Sequence, residues 1–302
     1  MGRNVSRWAI LLYLLPAGIL TGTLVLLPNL YSLYLAFTNH SLYHFEEYDW
    51  VGIRNFYRIV TGPEIHTFLQ VFLWTLVWAT VSVAGAMAIG LALALLLNTP
   101  KLRGRNLLRT LFIFPWAMPS FISVLMWQGL LNSHLGAVNR ILYHFHAGPI
   151  AWLDDPFWAK ISVLMVNLWL SFPFMMSVLL GALQSIPAEL YEAASVDGAS
   201  PWQRFFKITV PQLRSAVLPV AITSFAFNFN QFGGIYLLTG GGPPLLASQA
   251  GATDILVTYS YKLAFDQFRF GMACAYSVII FAVVASISSV NFKLTGAFKD
   301  VD

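Results

Sequence analysis

Ser224, Phe227, Asn228 and Gln231 stand at i, i+3, i+4 and i+7, one stripe of a helix, inside a stretch, 215–253, that carries no charge. Amides and a hydroxyl beside an aromatic face suit a neutral polyol. Hydroxyls exchange hydrogen bonds with Asn and Gln, and the C–H face of a ring packs on Phe or Trp. A charged ligand would find no counter-ion there and would stay unpaired at high cost. Asn167-Leu168-Trp169-Leu170-Ser171-Phe172-Pro173-Phe174 has the same character, and Pro115-Trp116-Ala117-Met118-Pro119 adds a third aromatic run. Their prolines are expected to break helices and free backbone groups: Pro173 should kink or unwind its helix, and the Pro115/Pro119 pair should interrupt another. All these residues could equally be polar contacts between helices, worth about 0.6 kcal/mol each.

A second constellation is built differently. Glu192-Ala193-Ala194-Ser195-Val196-Asp197-Gly198 is a polar insert between two long apolar runs, within the connection 185–213. Pro187 can open a helix, because its missing N–H costs nothing in the first turn. Glu189 and Glu192 then sit near the end where the helix dipole favours acids. Asp197-Gly198 is a turn signal. A second short amphipathic helix is expected beyond it, with Trp202, Phe205, Phe206 and Ile208 apolar and Arg204 and Lys207 polar, stopped by Pro211. Such a segment can lie on a membrane surface or dock into a groove of a partner, and the residues alone favour neither.

The elements that must position these groups follow from composition. The 302 residues are 58% hydrophobic and 10% charged, with mean hydropathy +0.68; soluble chains carry about 25% charged residues. This is an all-α, polytopic membrane protein read as one transmembrane domain over 1–302. A span takes about 20 apolar residues, and six are expected: 9–36, 70–97, 107–131, 159–184, 215–238 and 271–292. The first has basic flanks, Arg3 and Arg7, but is too long for a cleaved signal and is read as a retained span. With the N-terminus in the cytoplasm, inner segments hold 11 Lys and Arg (Arg3, Arg7, Lys101, Arg103, Arg105, Arg109, Arg204, Lys207, Arg214, Lys293 and Lys299), and outer segments hold 6. With the acids counted, the inner side is +6 and the outer side −2, so both termini are expected inside. Trp50, Trp152 and Trp158 in the outer segments are read as interfacial anchors. The single cysteine, Cys274, excludes an internal disulfide and reads as a core residue.

The windows 70–97, 161–188 and 215–253 hold no charged residue, which argues against an ion-coupled carrier. The chain also lacks a G-x-x-x-x-G-K-[ST] phosphate loop. It is therefore read as non-catalytic and without cofactor or metal. Its energy would come from a separate ATPase, or the chain would be a channel.

Glu192-Ala193-Ala194, Gly198 and Ile208-Thr209-Val210-Pro211 resemble the EAA motif of importer-type ABC transporter permeases, with Val210 where Leu is usual. The resemblance implies that this loop is a cytoplasmic coupling helix and that Glu192, Ala193, Ala194, Asp197 and Gly198 meet the ATPase. From about residue 105 onward, including 224–263, the chain is similar to the larger membrane subunit of maltose/maltodextrin importers. That likeness implies sugar contacts at Trp116, Asn167, Leu170, Ser171, Phe174, Ser224, Phe227, Asn228 and Gln231. Trp116, Phe174 and Gln231 stand where Tyr, Tyr and Asn are familiar, and the outer segment 38–69 is short. The partners implied are a second permease subunit, two copies of a cytoplasmic ATPase and an extracytoplasmic sugar-binding protein, in a bacterial or archaeal cytoplasmic membrane. No nucleic-acid partner is expected. The substrate would be an oligosaccharide, of the maltose type or another such as trehalose.

Overall fold

The computed structural model describes residues 7–99, 102–246 and 248–295. Arg3, Lys101, Lys299, Asp300 and Asp302, which enter the charge pattern, lie outside the described residues. The described chain is helical, with no strand among the described residues. In order it forms α1 (Arg7–Thr21), α2 (Leu27–Leu35), α3 (Arg54–Val60), α4 (Ile65–Leu97), α5 (Arg105–Ala117), α6 (Ser120–Leu130) and α7 (Ala137–His144). Then come α8 (Pro156–Gln184), α9 (Ala188–Val196), α10 (Pro201–Arg204), α11 (Val210–Phe229), α12 (Gly233–Thr239), α13 (Leu256–Phe265) and α14 (Phe270–Thr295). A π turn at Gly22–Leu26 joins α1 to α2, and another at Phe205–Thr209 joins α10 to α11. Among the described residues five helical stretches are long and apolar enough to cross a membrane, and a bent pair, α5 with α6, makes a sixth if counted as one span. The protein is a polytopic all-α membrane protein.

Two expected spans and two proline expectations are corrected. The span at 107–131 is two helices meeting at 90°. Pro119 forces Met118 into an extended conformation (φ −82°, ψ 142°), and the helix cannot pass it. The span at 215–238 ends at Phe229. The Asn228 carbonyl accepts from the Trp78 indole at 3.0 Å and from the Gln231 amide at 3.2 Å, and Gly233-Gly234 then start a separate helix. Pro211 does not stop the amphipathic helix. The π turn ahead of it puts the proline in a helical first turn, where its missing donor is tolerated, and the helix runs from Pro201 to Phe229. Pro173 does not unwind its helix either: α8 continues through it, and the Pro173 carbonyl accepts from Ser177 Oγ at 2.8 Å.

The chain forms two compact units. One comprises residues to Ile65 with 260–279. Its centre is the end of α2, where Asn55 Nδ2 donates to the carbonyls of Ala36 (2.9 Å) and Thr38 (2.8 Å), which the helix leaves unpaired. Phe37 stacks on Trp50 at 5.2 Å, and Arg269 pairs with the buried Glu64 at 2.7 Å.

The other unit holds 66–259 with the chain from Ile280. Its core joins α4 (Ala86, Ala94, Leu97), α8 (Met175, Met176, Leu179, Leu180, Leu183) and α11 (Leu213, Val217). Lipid is as apolar as these side chains, so close packing rather than hydrophobic transfer must hold the helices together. Gly90 provides it. A Cβ there would stand 2.8 Å from the Met176 nitrogen and 2.9 Å from the Met175 carbonyl carbon. Only glycine lets α4 approach α8 that closely.

Candidate functional site

Two sites carry the sequence signals, both in the larger unit. At the first, α8, α11 and α5 bring polar groups together, α11 and α5 each packing on α8. Asn167 Nδ2 donates to Asn228 Oδ1 at 2.8 Å, and both residues are buried, at 6% and 7% exposure. Asn228 Nδ2 turns back to the Ser224 carbonyl at 2.8 Å, and Ser171 Oγ donates to the Asn167 carbonyl at 2.7 Å. Four of the expected residues thus form one connected, uncharged network. Trp116 and Phe174 face each other with ring centroids 6.2 Å apart, and Trp116 is 57% exposed.

Gln231 falls outside the helical stripe, because α11 has ended, and its amide nitrogen is tied to the Asn228 carbonyl. Its Oε1 is buried and has no hydrogen-bond partner. Phe227, 69% exposed, and the half-buried Leu170 make no hydrogen bond or ring contact to the network among the described residues.

Supports that the sequence pattern did not single out come from α4 and α6. Trp78 holds the Asn228 carbonyl, and one turn earlier Trp74 Nε1 donates to the Thr253 carbonyl at 3.2 Å. Gln128 Nε2 reaches the carbonyls of Leu237 (3.0 Å) and Leu238 (3.2 Å) at the end of α12. A readable signal existed. A Trp pair at i, i+4 or a lone amide in a charge-free span must find partners for its N–H groups. Trp152 is also tied internally, its indole donating to Asn139 Oδ1 at 2.9 Å, which qualifies its reading as a free anchor.

The second site is the loop after α8. α9 starts after Pro187, with Glu189 in its first turn. Asp197 is its last half-helical residue and Gly198 takes φ +76°, so that the Ala199 amide reaches back to the Ala194 carbonyl at 2.8 Å. That is a left-handed glycine stop. Ser200 and Gln203 form a capping box that restarts the chain as α10. Arg204 Nη1 donates to Ser195 Oγ (2.8 Å), and the Tyr191 and Thr209 hydroxyls pair at 2.9 Å, bracing the two helices. Ala194, Asp197, Gly198, Gln203, Arg204 and Lys207 line an open cavity of about 370 Å³. Glu192, Ala193, Asp197, Val196 and Trp202 are exposed. The structure thus keeps the expected coupling residues in one exposed helix–turn–helix.

A family described as the binding-protein-dependent transport system inner membrane component matches residues 86–295. The chain belongs to that family. This membrane component is 41% identical over 281 residues to the galactooligosaccharides transport system permease protein GanP of Bacillus subtilis, covering 91% of the chain and 67% of the relative. It is 39% identical over 299 residues to the maltodextrin transport system permease protein MdxF of the same organism, covering 95% and 69%. The maltose/maltodextrin transport system permease protein MalF of Escherichia coli is 44% identical over 250 residues, 81% of the chain, but the match spans only 49% of that relative. The fold is that of a bacterial ABC transporter involved in the import of the acidic polysaccharide alginate, with TM-score 0.76 at 23% identity over 95% of this chain and 96% of that one.

Proposed function

We propose that the chain is the permease subunit of an ATP-driven, binding-protein-dependent importer of neutral oligosaccharides, probed best with maltooligosaccharides. The observation that carries this is the buried, uncharged pair Asn167 and Asn228, followed just past the end of α11 by the half-buried Gln231, whose Oε1 has no partner. An orphaned acceptor in such a place favours a ligand that brings hydroxyl donors. The exposed faces of Trp116, Phe174 and Phe227 offer packing for the C–H side of sugar rings. The maltodextrin and galactooligosaccharide permeases among the relatives support a sugar as cargo.

In this reading a second, similar permease completes the translocation path, two ATPase subunits dock from the cytoplasm and a sugar-loaded binding protein docks outside. Glu192, Ala193, Ala194, Asp197 and Gly198 would form the coupling contact to one ATPase, with the cavity between α9 and α10 receiving part of it. Closure of the ATPases would then swing the spans and pass the sugar to the amide site. The proposed orientation, with both termini in the cytoplasm, follows the Lys and Arg distribution.

A second reading concerns the sugar. The galactooligosaccharide relative is as similar as the maltodextrin one, and Trp116 and Phe174 offer no phenol hydroxyl. Uptake of radiolabelled maltotriose, trehalose and galactotriose into vesicles carrying the assembled transporter tests both readings. Uptake of a maltooligosaccharide above the others supports the maltose type, and preference for the galactoside favours the second reading. Uptake of none of them contradicts an oligosaccharide importer.

A further inference from the structure

We infer that the smaller unit holds an anionic phospholipid by its phosphate, in a cavity lined in part by Asn39, His40, His44, Arg54, Arg58 and Arg269. The inference depends on the chain spanning a membrane and not on which cargo it carries. The cavity has a volume of about 470 Å³. Arg54 and Arg58 are one turn apart on α3 and share a face. Arg269 donates to Glu64 Oε1 at 2.7 Å, and Arg58 stands 3.6 Å from the same oxygen. Arg54 has no carboxylate partner among the described residues. Arg58 and Arg269 thus meet the Glu64 carboxylate and Arg54 does not, while Glu46, Glu47 and Asp49 of the same loop do not line the cavity. His40 Nδ1 and Arg58 Nε are buried and have no hydrogen-bond partner. Clustered guanidiniums with an unfilled donor, Arg58 Nε, are the setting in which arginine forks take a phosphate.

Position selects the source of that phosphate. The cavity's walls include Thr38, just past the end of α2, and Met272, in the first turn of α14. Both helices belong to spans, so the cavity sits where hydrocarbon gives way to headgroups. Tyr31, Tyr34 and Trp50 are exposed nearby on the same unit, as interfacial aromatics are. The span Leu11–Leu35 has none of its most apolar stretch buried, which gives acyl chains a bed beside the headgroup. A carboxylate from a protein would meet the same guanidiniums but would make no use of that flank.

The test uses the full chain in its assembled transporter, in mixed micelles, with retained lipid counted by native mass spectrometry. Phosphatidylglycerol is expected to be retained over phosphatidylcholine. The Arg54→Gln/Arg58→Gln variant should lose about thirtyfold of that preference, at about one surface-charge increment per arginine. Arg58→Lys should keep part of it. If the double variant does not assemble, Arg54→Gln alone, at an exposed residue, should lose about fivefold. Equal retention of the two lipids by the unaltered protein overturns the inference, and so does undiminished preference in the variants. Displacement of phosphatidylglycerol by millimolar inorganic phosphate would instead make this a site for a soluble anion. Loss of binding-protein-stimulated ATP hydrolysis in Arg54→Gln, with lipid retention unchanged, would make it a protein-docking site; either result overturns the lipid assignment.

Discussion

Asn167 and Asn228 lie 61 residues apart and meet in a 2.8 Å amide hydrogen bond that ties α8 to α11 in a region without charge. Trp78 of α4 holds the Asn228 carbonyl from the other side. Three spanning helices therefore converge on one residue, and a motion of any of them is felt at Asn228. That makes the amide pair both a structural joint and the centre of the proposed sugar site.

The two roles separate in a double-mutant cycle. Asn167→Ala and Asn228→Ala should each lower thermal stability in detergent, and their combination should cost less than the sum by about 0.6 kcal/mol, the usual worth of an interhelical bond in a bundle. If the pair also binds cargo, both single variants should lose at least tenfold in sugar uptake while basal ATP hydrolysis by the assembled transporter persists. Reduced melting temperature with unchanged uptake would leave the amides as interhelical contacts only.

The Trp116–Phe174 pair, with centroids 6.2 Å apart, predicts a change of preference. Trp116→Tyr with Phe174→Tyr adds two phenol hydroxyls to the ring pair. Each hydrogen bond gained is worth about 0.5–1.5 kcal/mol. The relative uptake of maltotriose over galactotriose, measured at saturating loaded binding protein, should shift by about two- to tenfold for each. An unchanged ratio would show that these rings do not read the sugar.

At the loop after α8, Gly198→Ala should act through the backbone alone. A Cβ there meets nothing within 4 Å, but φ is +76°, and an alanine in the left-handed region costs about 1–2 kcal/mol. The α9 stop should loosen, co-purification of the ATPase subunit should fall severalfold, and far-ultraviolet dichroism of the spans should stay the same. Gly198→Asn should be milder, since Asn tolerates that conformation. Full ATPase retention in Gly198→Ala would mean that the turn is not part of the contact.

Much of the architecture was legible because lipid imposes it. Charge-free windows mark α4, α8 and α14 plainly, and the chemistry of Pro187, Asp197 and Gly198 foretells α9 and its stop. What stayed hidden is set by contacts distant in sequence. The stripe from Ser224 to Gln231 is regular on paper. Yet the Trp78 indole, 150 residues from Asn228, takes a carbonyl as the helix ends, and Gln231 leaves the stripe. Pro119 acts on its own neighbour and breaks the helix, whereas α8 continues through Pro173 and a π turn precedes Pro211.

Packing supplies a stability prediction. Gly90→Ala would press a methyl against the backbone of Met175 and Met176, under 3 Å away, and backbone cannot rotate aside. Overpacking of this kind costs about 1–3 kcal/mol, and the melting temperature in detergent should fall. Gly181→Ala in α8, where a Cβ meets nothing within 4 Å, should hold or raise it, since alanine is the better helix former. Equal melting of the two variants would contradict the close α4–α8 approach.

In the proposed function this membrane component moves sugar with energy delivered through the Glu192–Gly198 loop. ATP-driven uptake of a radiolabelled maltooligosaccharide tests it most directly, in proteoliposomes containing the chain, its partner permease, the ATPase and the binding protein. Uptake should require ATP and disappear in Glu192→Lys, while the variant's spans remain folded. Uptake that continues without the ATPase, or undiminished in Glu192→Lys, would contradict it.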